Sequence, residues 1–150
     1  MSSSATILVL NGPNLSRLDL REKSHYGDLD YPQLHKFIED SARELELSVD
    51  IRQSDDEATL IGWLHEAADK SQPVIFNPAA FTHYSVGIRD AAVLLRAPLI
   101  EVHLSNPLAR EEFRHTSMIS GVASGTIAGF KQDSYRLALI AMKELRRKTQ

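Results

Sequence analysis

Tyr26 stands in "LREKSHYGD", a polar stretch with Arg21, Lys23 and His25 before it and Gly27 just after. A tyrosine meant for a core would have apolar neighbours, whereas a tyrosine meant to take a proton needs cations. A free phenol titrates near about 10 and is a poor base at neutral pH; a neighbouring guanidinium, which is always charged, favours the phenolate. Gly27 and the polar residues around it suit a loop that closes over a ligand and excludes water. A surface-loop tyrosine with incidental basic neighbours is the other reading of the same stretch.

A second set of reactive groups lies in "IEVHLS". Glu101, His103 and Ser105 alternate with Val102 and Leu104, so on a strand the three polar side chains share one face. A carboxylate two residues before a histidine can orient it as an acid or base. A histidine satisfied by hydrogen bonds at a strand end is equally consistent with the triplet. Asn77 can hold a carboxylate or hydroxyl, and it is also an ordinary turn residue before Pro78. His83 is either a ligand contact or the polar start of a helix. Arg110 and Arg114, four apart, would share a helix face and reach an oxyanion or hydroxyl, or form a solvated ion-pair face with Glu111 and Glu112.

These residues need a scaffold that brings them together. Thr6 to Leu10 is apolar on both faces, as in a strand covered by helices on each side, and it ends in the turn "NGPN". Asp30 reads as an N-cap with Pro32 in the first turn, followed by Leu34, Phe37, Ile38, Ala42 and Leu45 at helical spacing. "SVDIRQS" predicts a second strand, and "DDEATLIGWLHEAADK" a helix capped near Asp55 or Asp56. "PVIFNPA", "VGIRDAAVLLR", "APLIEVHLS", "AREEFRHTS", "TIAGF" and "SYRLALIAMKELRRK" continue as strand, helix, strand, short helix or turn, strand and closing helix. The alternation predicts an α/β fold: a flavodoxin-like, doubly wound, five-stranded parallel sheet with helices on both faces. Ligands of such sheets bind beyond the carboxyl ends of the strands. There the list is polar: Asn11 and Asn14, Ser54 and Asp55, Asn77 with Thr82 and His83, then Glu101, His103 and Ser105.

At 150 residues the chain is expected to be one domain, residues 1–150, with a core of its own. A formal net charge of −3 gives no electrostatic reason to expect nucleic acid or an anionic membrane as a partner. With no cysteine, disulfides, thiolate nucleophiles and cysteine metal sites are excluded. His25, His83 and His103 lack metal-ligand spacing, and no glycine-rich dinucleotide or Walker-type loop follows a strand. The start "MSSSA" lacks a basic segment and "ILVL" is too short for a signal core or membrane span, so a cytoplasmic protein is expected.

The stretches "NGPNLSRLDLREKSHYG", "RQSDDEATLIGWLHEA", "VIFNPAAFTHYSVGIRDA" and "APLIEVHLSNPLAREEFRHTS" together resemble the type II 3-dehydroquinate dehydratases, over nearly the whole chain from about Ile7. The resemblance implies dehydration of 3-dehydroquinate to 3-dehydroshikimate through an enolate, in the shikimate pathway or quinate catabolism, with no cofactor and no metal. It also implies a homo-oligomer, a dodecamer built of trimers. By matched motif, Tyr26 would be the base at C2 with Arg21 its partner, Asn14 would hold a water near the enolate oxygen, and His103, oriented by Glu101, would protonate the departing hydroxyl. Asn77, Ser105 and the backbone at Leu104 would bind the substrate carboxylate, His83 and Arg114 its ring hydroxyls. Arg110 would be a second lid residue, and Asp90 would reach a neighbouring subunit's site.

The chain departs from the family pattern at Lys23, where a proline is usual, at Asp19, where a glycine is frequent, and in "NPAA". These changes bear on loop dynamics and rate more than on reaction type. Two other modules share the fold class. An FMN-binding domain needs a Ser/Thr/Gly-rich phosphate loop after the first strand, and "NGPNLSRL" has the wrong composition. A receiver domain needs acids where this chain has Asn11, Asn14 and Asn77.

Overall fold

The structure, a computed structural model, describes residues 5–148; the serine run at the N-terminus lies outside the described residues. Five parallel strands form one sheet in the order β2-β1-β3-β4-β5. They are β1 (Ile7–Asn11), β2 (Val49–Gln53), β3 (Val74–Asn77), β4 (Leu99–His103) and β5 (Gly125–Ala128). The helices are a single turn α1 (Lys23–Tyr26), then α2 (Tyr31–Glu44), α3 (Glu57–Asp69), α4 (Val86–Val93) and α5 (Asp133–Lys148). This is the flavodoxin-like arrangement expected from the alternating pattern, with its switch point between β1 and β3.

The two-sided apolar character of the central strands explains the layers. Ile7, Val9, Ile75, Ile100 and Val102 face α2 and α5, packing on Leu34, Ile38, Ala138, Leu139 and Met142. Leu8, Leu10, Val74, Phe76 and Leu99 face α3 and α4, packing on Leu60, Leu64, Ile88 and Ala92. Each such side chain, fully withdrawn from water, contributes roughly 1.5–3 kcal/mol. The edge strands β2 and β5 are only half-buried or exposed, as outermost strands must be.

Local signals start the helices where the sequence places them. Asp30 caps α2 by accepting from Gln33 N at 2.9 Å, while the Gln33 side chain accepts from Asp30 N at 2.9 Å, a complete capping box. Asp56 rather than Asp55 caps α3, accepting from Thr59 N at 3.0 Å. Asp55 is used differently, as described below.

One crossover differs from the others. Between β4 and β5 the chain forms no α-helix but three 3-10 turns, Pro107–Ala109, Glu112–Arg114 and Ser120–Val122. Arg110 and Arg114 therefore do not share one helix face; Arg110 is extended between two turns. The physical reason is that this segment sends Arg110, Ser117 and Ser120 inward to polar partners rather than presenting an apolar stripe to the sheet. Ile119, from this segment, is fully buried in the core, with Val122 and Ala123 packed against the same cluster.

The turn after β1 depends on a close approach. A Cβ on Gly12 would lie 2.5 Å from the backbone oxygen of Pro78, and Gly12 N donates to Asn77 O at 2.8 Å. By contrast, nothing lies within 4 Å of a Cβ built on Gly62 in α3. Gly12→Ala should thus lower stability by about 1–3 kcal/mol through forced backbone shifts, and Gly62→Ala should raise it by about 0.5–1 kcal/mol through helix propensity. Urea midpoints of the two variants check both signs; a neutral Gly12→Ala would contradict the packing of the β1 and β3 ends.

Candidate active site

The carboxyl ends of β1, β3 and β4 open into one cavity, lined by Asn14, Arg21, Tyr26, Asn77, His83, His103, Leu104, Ser105, Arg110 and Arg114. Ten of the residues named from the sequence thus meet in one place. Glu101 stands directly behind His103, joined to it by a hydrogen bond. Asp90 is elsewhere, exposed on α4 and paired with Arg89 at 3.0 Å.

Tyr26 ends α1, and Gly27, at φ 89°, turns the chain sharply after it. The ring is buried, 9% exposed, against the α2 and α5 side of the core, so it is not a loose surface tyrosine. Its oxygen accepts a short hydrogen bond from Arg21 Nη2 and another from Arg110 Nη1 at 2.7 Å. The Arg21 guanidinium also lies over the ring, 3.9 Å from its centroid. Arg110 Nη1 further donates to Ser105 Oγ at 3.1 Å, while Arg110 Nε is buried with no hydrogen-bond partner. Two guanidinium donors thus converge on the one phenolic oxygen.

At the end of β4, Glu101 is fully buried and saturated with donors. Its Oε2 accepts from His103 Nε2 at 2.6 Å and Thr82 Oγ1 at 2.5 Å, its Oε1 accepts from Ser120 Oγ at 2.5 Å, and Ser117 Oγ lies about 3 Å from both. Burial alone would push the Glu101 carboxyl up; the hydrogen bond and charge of His103 and the hydroxyls of Ser120 and Thr82 override it and hold the group down at about 2. A carboxylate only accepts, so His103 Nε2 carries a proton and Nδ1 is the nitrogen left for a ligand.

His83 is set up in the opposite sense. Its Nδ1 donates to the Thr116 carbonyl at 2.8 Å, and burial pushes its imidazole below the ordinary value, with that hydrogen bond opposing. The neutral ring then offers Nε2 as an acceptor for a hydroxyl. Arg114 combines both of its sequence readings: Nε pairs with Glu111 at 2.8 Å while the guanidinium lines the cavity.

Asn14 adopts φ 69°, a left-handed conformation tolerated by asparagine, and Asp55 secures it by accepting from Asn14 N at 2.9 Å. Gln53 supports the same loop, donating from Nε2 to Gly12 O and to Asp55 Oδ1, each at 3.1 Å. Asn77 is buried and donates from Nδ2 to the Tyr135 hydroxyl at 2.9 Å.

The sequence reading missed Ser117, Ser120 and Tyr135. No linear pattern marks the two serines, which reach Glu101 only because the 3-10 crossover folds over β4. Tyr135 carried a signal: it is the one polar-tipped residue on the apolar stripe that continues through Ala138, Leu139 and Met142. Among the described residues, no group of three or more His, Asp or Glu side chains is gathered as a metal site, and no helix is long and apolar enough to cross a membrane.

Comparison with known proteins agrees with this geometry. The family profile described as Dehydroquinase class II matches residues 5–143. The 3-dehydroquinate dehydratase of Salinispora tropica is 57% identical over 133 residues, covering 89% of this chain and 93% of the relative. That of Mycobacterium tuberculosis is 49% identical over 142 residues, covering 95% and 97%. Among solved structures, the type II dehydroquinase from Propionibacterium acnes superposes with a TM-score of 0.91 at 50% identity, over 94% of this chain and 97% of that one. A profile match across nearly the whole chain, on a sheet of the same topology, shows that the chain belongs to the class II dehydroquinase family.

Proposed function

We infer that the chain is a 3-dehydroquinate dehydratase, a hydro-lyase that eliminates water through an enolate. The observation that carries the reading is the Tyr26 oxygen, fed by two guanidinium groups, in the same cavity as the His103–Glu101 pair. Elimination next to a ketone needs a base at one carbon, stabilisation of the enolate and an acid at the departing hydroxyl.

Tyr26, as the phenolate, takes the C2 proton, and the electron pair moves onto the C3 carbonyl oxygen. A water held by Asn14 supports that oxygen. As the enolate collapses, the C1–O bond breaks and the hydroxyl leaves as water with a proton from His103, forming the C1=C2 bond of 3-dehydroshikimate. Tyr26 then returns its proton and His103 regains one, so the cycle consumes no oxidant or cofactor. Asn77, Ser105 and the backbone at Leu104 hold the carboxylate, while His83 and Arg114 hold ring hydroxyls. The guanidinium-rich rim supports an anionic substrate in these roles. No metal or cofactor enters the proposed cycle.

The same reading takes residues 1–150 as a single catalytic domain acting in the cytoplasm, in aromatic biosynthesis or quinate metabolism. It further takes the working enzyme as a homo-oligomer, a dodecamer built of trimers, with Asp90 completing a neighbour's site. Exposed Tyr84, Val86, Val93 and Leu94 on and around α4, flanking Asp90, support burial of that face by another copy.

The direct test is enone absorbance on adding 3-dehydroquinate to the purified protein, with a chelator and without nucleotide. Full activity is expected, together with resistance to borohydride; no enone, or a trapped lysine adduct, would refute the reading.

Glu101 gives a pH signature. Its carboxyl is held at about 2 against an ordinary 4.5, so its stabilising contribution is complete above about pH 4.5 and is lost as pH falls towards 2. Glu101→Gln cannot titrate. The stability advantage of the wild type over Glu101→Gln, read from urea midpoints, should narrow between pH 5 and pH 3, values that bracket the start of that loss. In the same variant kcat should fall by on the order of 10²-fold. A gap independent of pH would show that the carboxylate charge is not what the fold uses.

A further inference from the structure

We propose that Tyr135 is a positioning residue that locks the Asn77 amide so that it presents an N–H to the cavity, making that end of the site favour a carboxylate. The inference rests on the reading of Asn77 as the carboxylate-binding amide and adds what sets its direction.

The directions of the hydrogen bonds are forced. Asn77 Nδ2 can only donate, so the Tyr135 oxygen accepts from it at 2.9 Å. The single hydrogen of Tyr135 then goes to Asn11 Oδ1, at 2.5 Å. Asn11 Nδ2 in turn donates to the Tyr31 hydroxyl at 3.4 Å. At the other end of the Asn77 amide, Oδ1 accepts from Ala79 N at 3.1 Å and supports a left-handed residue at φ 54°.

Flipping the Asn77 amide would set Oδ1 against a phenol oxygen whose hydrogen is already committed, and Nδ2 against the Ala79 N–H. Both contacts would become repulsive, and the one with Tyr135 is buried, where an unsatisfied polar group costs about 1–3 kcal/mol. With Oδ1 engaged by Ala79 N and one Nδ2 hydrogen by Tyr135, the second hydrogen on Nδ2 is the donor left for a ligand, and an acceptor-only group such as a carboxylate satisfies it. Tyr135 is fully buried, and burial pushes its phenol well above the ordinary value, so it keeps its hydrogen, and the network its direction, across the working pH range.

The test compares 3-dehydroquinate with its methyl ester as substrates. The ratio of kcat/KM for acid over ester is independent of the amount of correctly folded enzyme, so it remains readable when a variant is unstable. In Tyr135→Phe the ratio should fall by at least about tenfold, the effect of one hydrogen bond to a charged group, mainly through KM for the acid. Asn11→Ser, which shortens the acceptor for Tyr135 and releases its hydrogen, should lower the ratio in the same direction and serves where Tyr135→Phe does not fold. Tyr31→Phe, at the far end of the network, should leave the ratio within about threefold of wild type, too small for a lost charged hydrogen bond. A wild-type ratio in folded Tyr135→Phe or Asn11→Ser, or equal losses for acid and ester, would overturn the inference while leaving the dehydratase reading intact. A wild-type enzyme that fails on 3-dehydroquinate would overturn both.

Discussion

Two guanidinium groups that share one neutral oxygen repel each other, and a negative charge on that oxygen relieves the repulsion. Arg21 and Arg110 meet at the Tyr26 hydroxyl in this way, from residues five and 84 positions away in the chain. Much of the local architecture follows from that requirement. Tyr26 must be fixed, and it is: its ring is packed into the core at the end of a one-turn helix, closed by Gly27 in a conformation that other residues rarely adopt. Arg110 must be delivered from the far side of the cavity, so the β4–β5 crossover is built of 3-10 turns whose polar side chains point inward instead of an amphipathic helix.

The charge layout extends the same logic. The cations Arg21, Arg110 and Arg114 line the cavity, whereas Glu101 is buried behind His103 and surrounded by hydroxyl donors. A carboxylate in front would pair with the arginines and neutralise the rim. Placed behind the histidine, it orients the ring through the Nε2 hydrogen bond without competing for an anionic substrate. The buried network of Asn77, Tyr135 and Asn11 does for hydrogen-bond direction what Glu101 does for charge. Both are second layers that fix what the cavity-facing groups offer.

The fold was legible because its signals are local. The two-sided apolar β1, the Asp30 capping box and the stripes of α2 and α5 each specify an element within a few residues, and parallel alternation then leaves few topologies. The β4 triplet was legible too, since alternation alone puts Glu101 and His103 on one face. What resisted reading is long-range and polar. Nothing near Arg110 points to Tyr26, and of the two forms open to "AREEFRHTS", short helix or turn, the chain takes turns, so the four-residue spacing to Arg114 sets no shared face. Ser117 and Ser120 are ordinary loop residues until the crossover lays them on Glu101. Tyr135 was absorbed into a core helix because its ring does belong there; only its hydroxyl belongs to the site.

The central claim is that Arg110 works through the Tyr26 oxygen, and a double-mutant cycle on kcat tests it most directly. Tyr26→Phe should reduce kcat by on the order of 10²–10⁴-fold with substrate binding changed only a few-fold, as loss of a general base requires. Arg110→Ala should cost about 10²-fold in the wild-type background yet less than about threefold when Tyr26 is already phenylalanine, because residues acting as a unit are not additive. Equal losses from Arg110→Ala in both backgrounds, or Tyr26→Phe keeping more than about a tenth of wild-type kcat, would contradict the account.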